Sequence, residues 1–162
     1  MGKIEITKRS SLMPRPEVIV SCRDKDGKNN ALVVAYCGNC SYDPPMVMVG
    51  IVPSRHSYNI IKQTKCFVVN LPNSSNKELY DYMGSHSGRD EDKFDAINVN
   101  WSDGDVVNAP ILNDCPVNIE CSVVDSIMTG SHEMFIGKVE KVHADTKILN
   151  DKNEIDVEKL CK

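Results

Sequence analysis

The sequence lacks the features that would place the protein in a membrane or on a nucleic acid. Its most apolar window, Met46–Val52, is far too short to span a bilayer. The first residues contain no apolar segment of the kind that a secretory signal needs. Acidic side chains outnumber basic ones, 23 to 19, and no basic stripe is present. We therefore expect a cytoplasmic protein with neither membrane nor nucleic acid as a partner.

Several catalytic and metal-binding motifs are also missing. The chain has no GxGxxG, Walker A or GxSxG sequence, so dinucleotide-fold, P-loop and serine-hydrolase interpretations lose their usual support. Cys37 and Cys40 form a Cys-x-x-Cys pair, but a zinc site needs about four ligands, and no second pair accompanies it. A dithiol redox motif would begin a helix, whereas this pair lies in a predicted loop. We expect no metal site, and we interpret the seven cysteines as reduced thiols.

What is present is the pattern of a β protein. The 162 residues are enough for a single domain, residues 1–162, with a core over about 16–145. Hydrophobic patterning predicts about seven strands with two or three short helices, which favours an antiparallel barrel over a βαβ fold. The predicted strands are Glu17–Arg23, Ala31–Cys37, Met46–Val52, Cys66–Leu71, Val117–Val123, Glu133–His143 and Lys147–Leu149.

Turn and cap signals divide these strands. Asp24-Lys25-Asp26-Gly27 predicts a tight hairpin turn, and Gly137 predicts a bulge or a close approach of two chain segments. Helices are predicted from Ser54 to about Thr64, from a Ser75/Glu78 capping box to Gly84, around Glu91–Phe94 and over Ile155–Leu160.

The segment Asn29–Ile61 carries the clearest functional signal. Its order is strand, small polar loop at Cys37–Asn39, strand, and then a helix. The predicted first turn of that helix holds two hydroxyls, Ser54 and Ser57, and the Arg55 guanidinium. Unpaired backbone N–H groups, the positive end of the helix dipole and an arginine all favour an anion. The segment therefore predicts a phosphorylated ligand at the edge of a β-sheet.

Three further positions remain open between a functional and a structural interpretation. His86 and His132 lie in turn-like contexts, where functional side chains are frequent but where a hydrogen-bonded surface histidine is also common. Lys93 lies in the run Arg89–Phe94, which charge pattern alone describes as a solvated surface.

A set of short segments, taken in order, carries a family resemblance. They are Asn29-Asn30, Ser41-x-Asp43-Pro44-Pro45, Arg55-x-Ser57-Tyr58, Phe67-Val68-Val69-Asn70, His86-Ser87-Gly88-Arg89-Asp90-x-Asp92-Lys93-Phe94, Cys115-Pro116-x-Asn118-x-Glu120-Cys121 and Thr129-Gly130-x-His132-x-x-Phe135-x-Gly137. With these segments, the stretch from about Pro16 to Asp145 resembles the flavin reductase-like, FMN-binding split-barrel family, and within it the flavoredoxin group.

The resemblance implies a mainly β fold, an FMN-binding split β-barrel with Greek-key-like connections. It also implies a homodimer with FMN near the dimer interface. Lys93 and Phe94 would then pack against the flavin, and His132 would lie where the nicotinamide binds in related reductases. The full set of implied FMN contacts is Val33, Val34, Ala35, Asn39, Cys40, Ser41, Ser54, Arg55, Ser57, Asn70, His86, Lys93 and Phe94.

Two activities follow from the resemblance. The first is NAD(P)H-dependent reduction of FMN, in which His132 positions the nicotinamide and no side chain is an obligatory acid or base. The alternative is an electron carrier that keeps FMN bound and exchanges electrons with an iron–sulfur or other redox partner. Ser131 stands where related reductases have Asp, which favours the carrier. A domain that has lost flavin is a third possibility, against which the phosphate-site residues argue.

Overall fold

A curled antiparallel sheet forms the body of the protein in the computed structural model, which describes residues 2–161. Its seven strands lie in the order β2-β1-β5-β8-β9-β4-β3. They are β1 (Val18–Arg23), β2 (Asn29–Val34), β3 (Cys37–Ser41), β4 (Met46–Ile51), β5 (Cys66–Leu71), β8 (Val117–Met128) and β9 (Glu133–Ala144). A separate hairpin pairs β6 (Trp101–Asp103) with β7 (Pro110–Leu112).

The helices are short and are not part of the sheet. They are α1 (His56–Thr64), α2 (Lys77–Ser85), α3 (Lys93–Ala96) and α4 (Val157–Leu160), with 3₁₀ turns at Ser74–Asn76 and Thr146–Ile148. Among the described residues, none of the helices has both the length and the apolar character needed to cross a bilayer.

The sheet curls into a split barrel because its two edge strands, β2 and β3, follow each other directly along the chain. Strand β2 pairs with β1, and the chain then continues through Tyr36 into β3, which pairs with β4. The Gly50 N–H donates to the Tyr36 carbonyl at 2.7 Å and links the connection to β4. The predicted strand Ala31–Cys37 and the predicted loop Cys37–Asn39 are therefore wrong in their bounds, because β3 is itself a strand. Its ladder skips Cys40, which forms a bulge.

Two apolar clusters lie on opposite faces of the sheet. Inside the barrel, Val20, Ile61, Phe67 and Phe135 are buried against one another and their neighbours. Outside it, the apolar side chains of α2, α3 and β7 pack on β1 and β2. A Cβ at Gly137 would lie 2.6 Å from the Phe67 ring, which confirms the predicted close approach.

The local signals around α1 and the hairpin turn had mixed outcomes. Gly27 has φ +84° and its N–H donates to the Asp24 carbonyl, so the predicted turn is confirmed. Helix α1 begins at His56, not at Ser54, and no side chain caps it. Ser54 therefore precedes the helix and contributes its backbone rather than a cap.

The predicted Ser75/Glu78 capping box is wrong, because two asparagines form a capping box on the 3₁₀ turn Ser74–Asn76 that leads into α2. Asn73 Oδ1 accepts from the Ser75 N–H at 3.0 Å, and Asn76 Oδ1 accepts from the Asn73 N–H at 2.9 Å. The helix also continues past Gly84 to Ser85. The predicted strand Lys147–Leu149 is wrong as well, because this segment is mostly a 3₁₀ turn capped by Asp145.

Candidate functional site

A cleft of about 410 Å³ opens where the start of α1, strand β2 and the loop after α2 meet. Six of the predicted site residues line it: Val33, Ser54, Arg55, Ser57, His86 and Lys93. They come from three separate parts of the sequence, so the fold brings together much of what the resemblance implied.

The start of α1 provides the anion-binding character of this cleft. The first N–H groups of a helix have no acceptor within the helix, and the first turn of α1 contains no acidic residue. Arg55 stands at the N-cap position beside these groups. Ser57 is 1% exposed and its hydroxyl accepts from the Asn30 side chain at 2.7 Å, so it joins α1 to β2.

Arg89 adds a second guanidinium that the sequence interpretation did not single out. Its Nη1 donates to the Ser54 carbonyl at 2.7 Å, which holds the side chain across the entrance of α1. Burial and then the positive charge of Arg89 lower the pKa of His56, so this imidazole is neutral at pH 7. The positive charge at this end of the cleft therefore comes from Arg55 and Arg89.

The loop after α2 packs closely against the opposite side. A Cβ at Gly88 would lie 2.4 Å from Asn30 Oδ1, so only glycine fits this approach. The His86 ring stacks on Tyr82 with centroids 3.9 Å apart. The Tyr82 hydroxyl donates to Glu91 Oε2 at 3.0 Å. These contacts fix the lip of the cleft next to His86.

Lys93 lines the cleft but directs its ammonium at the backbone. The residue is 2% exposed, and Nζ donates to the carbonyls of Ala31, Met83 and His86. Phe94, predicted to pack against a flavin, has its ring buried in the outer apolar cluster and is not among the residues that line this cleft. Lys93 is thus a buried cation within the wall, not part of a solvated charge run.

Asn70 occupies a structural position away from the cleft. Its side chain is fully buried, and Oδ1 accepts from the Leu112 N–H at 3.1 Å and from the Asn118 amide at 2.8 Å. Its Nδ2 donates to the Ile19 carbonyl and the Ser21 hydroxyl. Asn70 therefore ties β1, β5, β7 and β8 together instead of lining the cleft.

The remaining predicted residues lie in other surroundings. Val34 is buried in the barrel core, whereas Asn39 and Cys40 are exposed and Ser41 is half-buried on β3. Ala35 lines a second, apolar groove of about 290 Å³ between residues 10–16 and strands β3 and β4. The two regions are connected along the chain, since Val33 and Ala35 are two residues apart, about 7 Å along an extended strand.

His132 lies beside this second groove rather than in the cleft. Its ring packs against Tyr36, a groove residue, with centroids 4.7 Å apart and the planes tilted by 49°. The Ser131 hydroxyl lies 2.8 Å from His132 Nδ1. The Arg15 guanidinium also lies over the Tyr36 ring, with its central carbon 6.0 Å from the ring centroid. His132 therefore belongs to an aromatic corner next to Ala35.

A third cluster has metal-type ligands but a different role. Asp105, Glu120 and His143 bring their ligand atoms within 4.8 Å of one another. However, the buried Glu120 carboxylate accepts from the N–H groups of Asp105, Val106 and Val107, and His143 Nε2 lies 2.7 Å from Oε1. Burial opposes the charge, yet the hydrogen bonds from His143 and these N–H groups outweigh it and lower the pKa of Glu120. The cluster is satisfied by hydrogen bonds.

Comparison with known families decides the relationship of this chain. A family model described as the flavin reductase like domain matches residues 9–154. The protein belongs to the flavin reductase-like family. Both the resemblance found in the sequence and the split-barrel fold are thereby confirmed.

Individual relatives of this flavin reductase-like protein include flavoredoxin. The flavoredoxin structure from Desulfovibrio vulgaris (Miyazaki F) has a TM-score of 0.91 and 28% identity, and the match covers 98% of this chain and 85% of that one. A probable flavin reductase of Rhizobium meliloti is 29% identical over 121 residues, covering 75% of this chain and 37% of that protein. The NADH:riboflavin 5'-phosphate oxidoreductase of Streptomyces pristinaespiralis is 25% identical over 122 residues, covering 75% of this chain and 66% of that protein.

The chain spans 63%, 50% and 63% of the lengths of three further curated relatives, from Archaeoglobus fulgidus, Aeropyrum pernix and Pyrococcus abyssi. The donor set of the flavin reductase-like cleft fits the phosphate of a flavin nucleotide, because two guanidiniums and a helix start converge there with Asp90 as the one acidic lining residue among those described.

Proposed function

We propose that the protein binds FMN in the cleft at the start of α1 and acts as an NAD(P)H-dependent, FMN-linked oxidoreductase. The observation that carries the proposal is the convergence of Arg55, Arg89 and the first turn of α1 on one cleft. Family membership and the name of the Streptomyces relative, which joins NADH to riboflavin 5'-phosphate, support the same assignment.

In this proposal each element of the cleft has a separate task. Arg55 and the N–H groups of the first turn of α1 hold the phosphate, and Arg89 adds charge from the loop side. Backbone and side-chain atoms of Val33 and the region toward Ala35 face the flavin. When bound, FMN accepts a hydride and passes on one or two electrons, which is the chemistry that no side chain here supplies.

His132 is the residue proposed to position the nicotinamide. The imidazole is fixed between the Tyr36 ring and the Ser131 hydroxyl, so it offers a ring nitrogen in a defined place beside the apolar groove. A fixed contact that orients the nicotinamide raises the fraction of bound molecules in a reactive geometry, and it requires no proton transfer. The proposed role is therefore positioning.

We also propose that the protein is a homodimer. Three apolar side chains near the end of β8, Val124, Ile127 and Met128, are more than half exposed in the single chain. Large apolar side chains left exposed on one strand end are the kind of surface that an interface covers. A second copy is the proposed partner for this strand end.

The electron-carrier function is a second candidate, and the similarity to flavoredoxin over nearly the whole chain favours it. The two functions differ in the electron donor. Anaerobic addition of NADH and NADPH to the FMN-loaded protein should bleach the flavin absorbance if the protein is a reductase. If neither nucleotide bleaches it, a redox protein is the donor and the carrier function replaces the first proposal.

The phosphate assignment is tested by comparing FMN with riboflavin in binding titrations. Arg55→Ala should weaken FMN binding about ten- to a hundredfold, because a charge-assisted hydrogen bond contributes roughly 1.5–3 kcal/mol. Riboflavin binding should change little, since riboflavin has no phosphate. Arg9→Ala, in the exposed N-terminal segment, is the matched control and should affect neither ligand. Equal losses for both ligands in Arg55→Ala would remove Arg55 from the phosphate site.

A further inference from the structure

Lys93 is the most completely buried cation near the candidate site, and all of its hydrogen-bonding capacity is used. An ammonium has three protons, and Nζ has three acceptors, the carbonyls of Ala31, Met83 and His86. The distances to Met83 and His86 are both 3.1 Å. No proton of the ammonium is therefore left for a ligand in the cleft.

The three carbonyls belong to three different elements. Ala31 lies in β2, Met83 in the last turn of α2, and His86 in the loop that follows. The last carbonyls of a helix receive no hydrogen bond from an N–H group of the same helix, and the helix dipole favours a cation near them. Lys93 thus binds the end of α2 from outside the helix and joins it to the edge strand of the barrel.

These same three elements form the walls of the cleft. Val33 follows Ala31 in β2, Gly84 follows Met83 in α2, and His86 itself lines the opening. The Gly84 position is already tight, because a Cβ there would lie 3.3 Å from a Val33 methyl group. The separation between β2 and the end of α2 therefore sets the width of the cleft, and Lys93 spans that separation.

We propose that Lys93 is a positioning residue that fixes the width of the cleft through its three carbonyl bonds and does not contact the bound flavin. This inference rests on the proposed function for its ligand, but it differs from the role that the family resemblance implied for Lys93. Arg55 acts on the phosphate alone, whereas Lys93 acts on the shape that receives the whole ligand.

The charge state of Lys93 gives the proposal a pH dependence. The groups that face it are Cys22 from β1, Glu91 from the loop, and Arg55 and His56 from the start of α1. Burial lowers the pKa of Lys93 to about 8, with Cys22 and Glu91 opposing the shift and Arg55 adding to it. A neutral amine has two protons, so one carbonyl bond is lost as the pH rises through this value.

Ligand affinity and the stability of the fold should then respond to pH in opposite directions. Because the pKa of Lys93 is lower in the folded chain than in the unfolded one, its deprotonation makes folding more favourable as the pH rises from about 8 toward 10. The cleft, by contrast, loses a bond that holds its walls. Ligand affinity should fall between pH 7 and 9 while this contribution to stability does not.

The test is a binding titration of FMN and riboflavin with Lys93→Met, which keeps the length of the side chain and removes the ammonium. We expect both ligands to bind about tenfold more weakly, since one or more charge-assisted bonds to the walls are lost. Lys77→Met, at an exposed position of α2, is the matched control and should bind both ligands like wild type. A loss for FMN alone would mean that Lys93 contacts the phosphate, and no loss for either ligand would mean that the wall does not depend on it; either result overturns the proposal.

Two further measurements keep the test independent of the variant's stability and of the proposed function. In wild type, affinity for both flavins should fall from pH 7 to pH 9, and in Lys93→Met it should not. If the affinity of wild type does not change over this range, the proposal is contradicted. Without any ligand, amide hydrogen exchange in residues 84–92 should be faster in Lys93→Met than in Lys77→Met. If neither flavin binds wild type, the proposed function fails, whereas unchanged exchange in 84–92 defeats the Lys93 inference itself.

Discussion

Glu120 is the central acceptor of the cluster that holds the β6–β7 hairpin region against β8 and β9, and its removal should destabilise the fold. The substitution Glu120→Gln keeps the size of the side chain but replaces one accepting oxygen with an NH₂ group. In wild type, Oε2 accepts from the N–H groups of Val106 and Val107 at 2.8 and 2.9 Å, and Oε1 accepts from that of Asp105 at 3.1 Å. A glutamine cannot accept at both positions.

The size of the effect follows from the number and kind of these bonds. Hydrogen bonds to a charged group contribute roughly 1.5–3 kcal/mol each, but neighbouring contributions are not additive. With at least one oxygen lost and a donor facing a donor, we expect the free energy of unfolding to fall by roughly 2–4 kcal/mol. In a domain of this size that corresponds to a Tm lower by roughly 5–15 °C.

The assay is thermal and urea unfolding of Glu120→Gln, with Glu140→Gln as the control. Glu140 lies in β9, and among the described residues its carboxylate pairs with Lys138 at 3.8 Å, so its loss should cost less than about 1 kcal/mol. Since the pKa of Glu120 is lowered in the folded chain, its contribution is present above the unfolded pKa and is lost as the pH falls through the folded value. The difference between wild type and variant should therefore shrink in acid.

Two results would refute this account of the cluster. A variant as stable as wild type at pH 7 would mean that the bonds to Glu120 contribute nothing. A wild-type Tm that drops on addition of a chelator, by as much as the substitution lowers it, would mean that Asp105, Glu120 and His143 hold a metal ion.

The remaining predictions concern His132 and assembly. His132→Ala should slow anaerobic reduction of the bound flavin by NAD(P)H about tenfold, because roughly 1.4 kcal/mol of positioning is lost, and should leave FMN affinity unchanged. The control is Lys77→Met, at an exposed position of α2 away from the groove, which should be reduced at the wild-type rate. If His132→Ala is reduced as fast as wild type in stopped flow but has a lower Tm, His132 has a structural role only. Light scattering should give the mass of a dimer at micromolar concentration, and Ile127→Asp should lower it toward that of a monomer because it places a charge in the proposed interface; a monomeric wild type that still binds FMN contradicts the dimer proposal.

Much of the barrel could be predicted because most of its strands have a recognisable hydrophobic pattern in their own sequence. The apolar run at Cys66–Leu71 coincides with β5, and the alternation that starts at Val117 marks the beginning of β8. Strand β3 could not be found in this way. Its sequence, Cys-Gly-Asn-Cys-Ser, has no apolar face because it is an exposed edge strand with a bulge, and only its pairing with β4 makes it a strand.

The residues of the candidate site likewise divide into those with a local sequence signal and those placed by contacts distant in sequence. Arg55 beside a helix start is a local pattern and was accessible from the sequence. Arg89 was not, because its place in the cleft depends on the Ser54 carbonyl, 35 positions away along the chain. Charge pattern alone described Lys93 as a solvated residue for the same reason, since the identity of the residues around it does not reveal that their backbone carbonyls will surround the ammonium.

The path of residues 29–41 also bears on how ligand preference can change during evolution. This segment closes the barrel through Tyr36 and at the same time borders both the cleft and the apolar groove. A substitution that alters its shape for a new ligand would also disturb the seam between β2 and β4. Divergence in ligand choice should therefore accumulate in the Ser85–Asp92 loop and in residues 10–16, which border the same two sites without closing the barrel.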